Sequence, residues 1–294
     1  MTETAAAQRV GGGALLPDNA SLGAVELTVT DLDRSIGFYE DVIGLRVLRR
    51  AGNVAALGAD EEVLVLHEEP EADQPGRVAG LYHFALLFPT RQELARATAR
   101  IARTRTRIDG ASDHGTHEAI YLPDPDGIGI ELAADRPREQ WPDLSLADFA
   151  SHGPAPLDVG DLLASIADEA PADAAASGVR VGHVHLHVSD LDDATRFYRD
   201  GLGFAVMTTL PTAVFVSFGR YHHHVAYNVW RGPGVPAAAE GVVGLRHWTL
   251  ILGSDADLSA VRDRLGALGA TVTETDGGLI ARDSANIAVR VVAA

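Results

Sequence analysis

The sequence predicts an α+β fold assembled from four repeated βαβββ modules, and three observations carry that prediction. Two segments are near copies of each other, LGAVELTVTDLDRSIGFYEDVIGLRV from Leu22 and VGHVHLHVSDLDDATRFYRDGLGFAV from Val181. Two more, GLYHFALLFPTRQELARATARIAR from Gly80 and GLRHWTLILGSDADLSAVRDRLGALG from Gly244, keep the same order with a weaker signature. Each is followed by short β-rich runs: Val63 to Leu66, Ala119 to Leu122 with Ile128 to Leu132, Val214 to Phe218 with Val225 to Trp230, and Leu279 to Val292. A repeat outranks local propensity, because each unit buries its apolar face only against its neighbours.

Taken in order, each module reads as strand, capped helix and glycine stop. In the third, Val184, Leu186 and Val188 alternate with His183, His185 and His187, the period-two pattern of a strand with one buried face. Asp31 and Asp190 precede helices whose apolar stripes are Ile36/Phe38/Tyr39 and Ala194/Phe197/Tyr198, and Gly44 and Gly203 end them. The domain reading is a flexible N-terminal tail over 1–20 and an N-terminal half over 21–136, with modules at 21–70 and 80–136. A connector rich in Asp, Ala and Pro spans 137–179, with one helix expected from Asp158 to Glu169. The C-terminal half covers 180–294, with modules at 180–232 and 243–294.

Composition narrows the chemistry. The 294 residues carry 41 Asp and Glu against 24 basic residues, every one of them Arg, for a net charge of −17. That field disfavours nucleic acid and anionic membrane surfaces as partners. With no cysteine, disulfides, thiolate zinc sites, Fe–S clusters and cysteine nucleophiles are all excluded, so any metal must sit on His, Asp or Glu. There are 12 His to supply it. No apolar run approaches a membrane span, and the first residues lack the layout of a secretion signal, so a soluble, cytoplasmic protein is expected.

The repeat, together with DPDGIGIEL, YHHHVAYNVW and GLYHFALLFP, resembles the vicinal oxygen chelate superfamily, and within it the bacterial catechol 2,3-dioxygenase type of extradiol enzyme. The resemblance implies the glyoxalase/bleomycin-resistance/dioxygenase fold, in which paired modules form half-open barrels with a divalent metal on the concave face. In that family the first-strand ligand lies seven residues before the helix-capping Asp, which falls on His183 in module three and on Ala24 in module one. Aligning GLYHF with GLRHW puts His83 and His247 at the corresponding positions of modules two and four. The last-strand carboxylate falls on Glu131 in module two and is replaced by Arg290 in module four.

Pairing modules in chain order leaves both sets incomplete. Pairing module two with module three gives His83, Glu131 and His183, a full set of two histidines and a carboxylate, and leaves Ala24, His247 and Arg290 without a metal. The working barrel is therefore expected from modules two and three. Such a triad leaves adjacent positions open, as non-haem Fe(II) oxygenases require, and its donors also accept Mn(II).

The resemblance further implies a catalytic Tyr121, ten residues before the carboxylate, with His114 upstream of it and His117 as the rival. From the run of His222, His223 and His224, alignment on Ala226 favours His223 as acid/base. His185 and His187 share the face of His183 as pocket lining, and His67 is read as a surface or pocket residue. The implied activity is extradiol cleavage of a catecholic diol with O₂, in a monomer or a homo-oligomer. Two alternatives stay open. One is another enzyme of the superfamily, of glyoxalase, isomerase or thiol transferase type, although these add a fourth ligand where this chain has Asn228. The other is a small-molecule-binding resistance protein.

Overall fold

The structure is a computed structural model that describes residues 15–142, 154–239 and 241–294. The four first strands are β1 (Ser21–Val29), β5 (Gly80–Leu87), β10 (Arg180–His187) and β14 (Gly244–Leu252). Their helices are α1 (Leu32–Phe38), α2 (Arg91–Thr104), α4 (Leu191–Thr195) and α5 (Asp255–Ala267), with α3 (Val159–Ala164) in the connector. The later strands of module one are β2 (Arg46–Ala51), β3 (Val54–Gly58) and β4 (Glu62–Glu68), and those of module two are β6 (Gly110–Asp113), β7 (His117–Pro123) and β8 (Gly129–Asp135). Module three adds β11 (Ala205–Leu210), β12 (Ala213–Ser217) and β13 (Val225–Asn228), and module four adds β15 (Thr271–Thr275), β16 (Gly278–Arg282) and β17 (Ala288–Ala293).

Helix starts follow the expected chemistry. The Asp31 and Asp190 carboxylates accept from the backbone N–H groups of Arg34 and Asp193, satisfying donors that a helix N-terminus leaves unpaired. Both helices then widen into a π-helical stretch, Tyr39–Ile43 and Arg196–Leu202. Each stretch stops at a glycine in the left-handed region, Gly44 at φ 89° and Gly203 at φ 98°, where a side chain would be strained. The hairpin strands β2, β3, β6, β11 and β15 have no strong period-two signal, and the expected run Leu279 to Val292 divides into β16 and β17 at Asp283, Asn286 and Ile287.

The strands form two large sheets. One has the order β15-β16-β17-β14-β1-β4-β3-β2 and so joins module four to module one. The other has the order β11-β12-β13-β10-β5-β8-β7-β6-β9 and joins module three to module two, with the short β9 (Ala155–Pro156) added at its edge. The central seams are antiparallel, β1 with β14 and β5 with β10. One face of each first strand is apolar and fully enclosed, as at Val25, Leu27, Phe84, Leu86, Val184, Leu186, Trp248 and Leu250.

Helix docking follows the other pairing. The buried Tyr39 hydroxyl donates to Asp124 at 3.2 Å, linking module one to module two, and Tyr198 donates to Asp283 at 3.1 Å, linking three to four. Burial pushes both carboxyls up to about 6. Arg100 on α2 donates to the Ile43 carbonyl at 2.7 Å, and Arg264 on α5 donates to that of Leu202 at 2.8 Å. Each half is thus held by its helices and exchanged through its sheets.

The N-terminus and the connector both pack against the modules. Leu16, within the expected tail, is buried and donates its N–H to the Gly203 carbonyl at 2.8 Å. Residues 1–14 lie outside the described part. The connector helix is shorter than Asp158 to Glu169, and the connector packs closely: Ala175 donates to the Gly44 carbonyl at 2.8 Å, and Gly178 donates to Asp60 at 3.0 Å.

Tyr39→Phe leaves Asp124 with one fewer donor in a dry environment. Chemical denaturation should register a loss of about 1–2 kcal/mol, with no change in secondary structure.

Candidate metal centre

The site is built across the β5–β10 seam. In the sheet register Tyr121 lies opposite Glu131, Glu131 beside Ala85, and Ala85 opposite His183. Ala85 has almost no side chain, so Glu131 and His183 meet above it from strands on either side. His83 stands two residues before Ala85 on the same face, because strand side chains alternate. One ligand-type atom from each of His83, Glu131 and His183 lies within 4.8 Å of the others, and all three residues are buried. Both imidazole Nε2 atoms are 3.1 Å from Glu131 Oε2.

The electrostatics suit a cation. Burial alone would raise the carboxyl of Glu131, but the imidazoles of His183, His117 and His83 outweigh it and hold the group well below the usual carboxylate range. Burial pushes His183 down, so it is neutral and able to donate a lone pair at neutral pH. The Nε2 of His83 is shut off from solvent and has no hydrogen-bond partner although it faces Glu131. A buried nitrogen pointed at a carboxylate oxygen without a hydrogen bond fits two ligands of one ion, and this donor set fits a divalent metal of the borderline class.

Above the triad lies a cavity of about 490 Å³. Tyr121 and His114 line it together, with His114 Nε2 2.8 Å from the Tyr121 hydroxyl. Burial and the charge of Glu131 push the Tyr121 phenol well up, while burial pushes His114 down to about 4. His117, the rival position, does something different: its Nε2 is 3.1 Å from Glu131 Oε1, the oxygen that faces neither His83 nor His183, and its Nδ1 meets Thr116 Oγ1 at 2.9 Å.

The three consecutive histidines separate. His223 is half-buried in the cavity wall, with its ring 4.2 Å from that of His183. His222 stacks on His117 at 4.6 Å and links His223 Nδ1, at 2.9 Å, to Asp135 Oδ1, at 3.3 Å. His224 leaves the cavity, bonding Ser217 Oγ at 2.7 Å and stacking on Phe218. Asp135 also accepts from the Tyr221 hydroxyl at 2.9 Å, a contact that spacing along the chain does not signal.

Asn228, at the place where the glyoxalase-type alternative calls for a fourth ligand, has its amide engaged elsewhere. Its Nδ2 donates to His185 Nε2 at 2.9 Å, and its Oδ1 accepts from His187 Nδ1 at 2.8 Å and from the Trp230 N–H at 2.9 Å. His185 lines the cavity beside Tyr82, Phe215 and Trp230. His67 and His247 are far from this site and meet at Glu26 in the other sheet.

The model of the Glyoxalase/Bleomycin resistance protein/Dioxygenase superfamily matches residues 21–132 and 180–278. The chain belongs to that superfamily. It is 39% identical to a catechol-2,3-dioxygenase of Bacillus subtilis over 90% of this chain and 94% of the relative. It is 29% identical to a metapyrocatechase of Geobacillus stearothermophilus over 64% of this chain and 52% of that protein. Glyoxalase I of Zea mays shares the fold, with a TM-score of 0.58 at 20% identity, covering 93% of each chain. Among the described residues no helix is long and apolar enough to cross a membrane.

His117→Phe removes the partner of Glu131 Oε1 while keeping a stacked ring. Metal affinity at the triad, measured by competition with a chelator, should fall about 10–100-fold, as for the loss of other groups that orient a ligand.

Proposed function

We propose that this protein is an extradiol ring-cleavage dioxygenase that inserts O₂ into a catecholic vicinal diol, with Fe(II), or Mn(II) in its place, held by His83, Glu131 and His183. The observation that carries this reading is the donor set: two imidazoles and one carboxylate, converging within 4.8 Å at a cavity, in a chain 39% identical to a catechol-2,3-dioxygenase. A divalent metal held by these three residues would polarise the diol oxygens and lower the diol's pKa.

The surrounding side chains divide the proton work. Tyr121 stays protonated at neutral pH and lies 2.8 Å from a neutral His114, so the pair offers a hydroxyl and an imidazole, each held in place by the other, for hydrogen bonds to the diol oxygens. At His223 the hydrogen-bond chain selects the tautomer. His222 Nε2–H donates to Asp135, which leaves His222 Nδ1 as an acceptor for His223 Nδ1–H and puts the lone pair of His223 on Nε2. Burial pushes His223 well down, so that nitrogen is neutral before the reaction, a hydrogen-bond acceptor that becomes a strong acid if it takes a proton. The apolar wall made by Phe215, Leu210 and Trp230 faces the ring of a bound diol.

The glyoxalase-type alternative calls for a second carboxylate at the place of Asn228, which is uncharged and fully engaged. The small-molecule partners are thus a catecholic diol and O₂, handled in the cytoplasm by a chain that is a monomer or a homo-oligomer.

Protein loaded with Fe(II) and mixed with catechols under air should consume O₂ and form a yellow ring-fission product, while His223→Phe should keep its iron and lose turnover. No colour and no oxygen uptake across a panel of catechols would overturn the assignment. Asp135→Asn disturbs the tautomer of His222 and through it His223. It should lower kcat at least about 10-fold with KM and iron content unchanged.

A further inference from the structure

The first sheet lacks the triad, since Ala24 and Arg290 occupy the places of His183 and Glu131. It nevertheless assembles the same kinds of donor from other positions. Glu26 lies on β1, directly opposite His247 on β14, and His67 lies on the neighbouring β4 opposite Thr28. Glu26 Oε2 is 2.6 Å from His67 Nε2, and Glu26 Oε1 is 3.2 Å from His247 Nε2. The carboxylate enters two residues further along β1 than Ala24.

A second observation points to a cation. The His247 Nε2 is closed off from solvent and makes no hydrogen bond, although it faces Glu26. The His83 Nε2 behaves in the same way beside Glu131, and His83 and His247 are equivalent positions of the repeat. Burial opposes the ionisation of Glu26, yet the two imidazoles outweigh it and keep the group charged. Arg49 on β2, which also feels Glu26, is itself held by Glu62 at 3.1 Å. The side chains of Glu26, His67 and His247 are 20%, 22% and 15% exposed, so water can complete a coordination shell.

We propose that Glu26, His67 and His247 form a second divalent-metal site, for a borderline cation such as Zn(II) or Co(II), that ties β1, β4 and β14 together and is separate from the triad. Its donors come from modules one and four, so a bound ion cross-links the two ends of the chain. The site contributes to stability through binding to the folded state alone. Its donor atoms, unlike those of the triad, do not all lie within 4.8 Å of one another, so a side chain must turn for one ion to take all three, and the site fills after the triad and with lower affinity.

The test is a Zn(II) titration of the metal-free full chain, followed by calorimetry and elemental analysis. The wild type should take about two equivalents in two phases. Glu26→Gln, which preserves volume, and His67→Gln should each take only the tighter equivalent, and His83→Ala only the weaker. In the His83→Ala background, Zn(II) should raise Tm, and adding Glu26→Gln should abolish that rise. Far-UV circular dichroism of the metal-free variants checks that each is folded. A wild type that takes one equivalent, or a Glu26→Gln protein that still takes two, would show the cluster to be an ion pair only and overturn the proposal.

Discussion

The antiparallel seam between β5 and β10 is the interaction on which the site depends. Its register sets Ala85 opposite His183 and His83 opposite His185. A slip of one residue would turn His183 into the apolar core and bring Val184 out, because side chains alternate. The same seam joins segments about a hundred residues apart, so neither half of the chain contains the triad. The helices secure that arrangement by tying module one to two and three to four, through Tyr39–Asp124 and Tyr198–Asp283. Sheets and helices therefore pair the modules differently, and the two pairings lock each other.

Burial does most of the electrostatic work. His183, His185, His222 and His223 are all pushed down because a charged imidazole would be poorly solvated there. A cluster of neutral imidazoles around one ionised carboxylate has net negative charge before a metal binds, and a dication reverses the sign. Asp135 provides a second carboxylate at the far end of the His222–His223 chain, where it orients rings without adding its charge to the triad.

The two sheets differ on their open faces while keeping the same frame. The helix caps, left-handed glycines, tyrosine–aspartate links and arginine–carbonyl contacts all recur. What changes are the residues on the open face, where no packing constraint ties one position to another. His183 becomes Ala24, His185 becomes Glu26 and Asn228 becomes His67, so the same strands present a different set of donors.

Much of the fold was legible in the chain because the repeat itself carries it: period-two strands, Asp caps and glycine stops are local chemistry that one sequence displays twice. That His83, Glu131 and His183 come together follows from pairing module two with module three, since the three occupy corresponding strand positions. Local signals were too weak for β2, β11 and β15, whose strand character comes from pairing with a neighbour. The tertiary structure alone separated the contacts of His114 and His117, which reach the Tyr121 hydroxyl and Glu131 Oε1, and sent His222 and His223 into the cavity but His224 out of it. It also brought Asp135 to His222 and Glu26 to His67 and His247. These contacts join strands distant in sequence, and their geometry depends on sheet register, which sequence spacing does not encode.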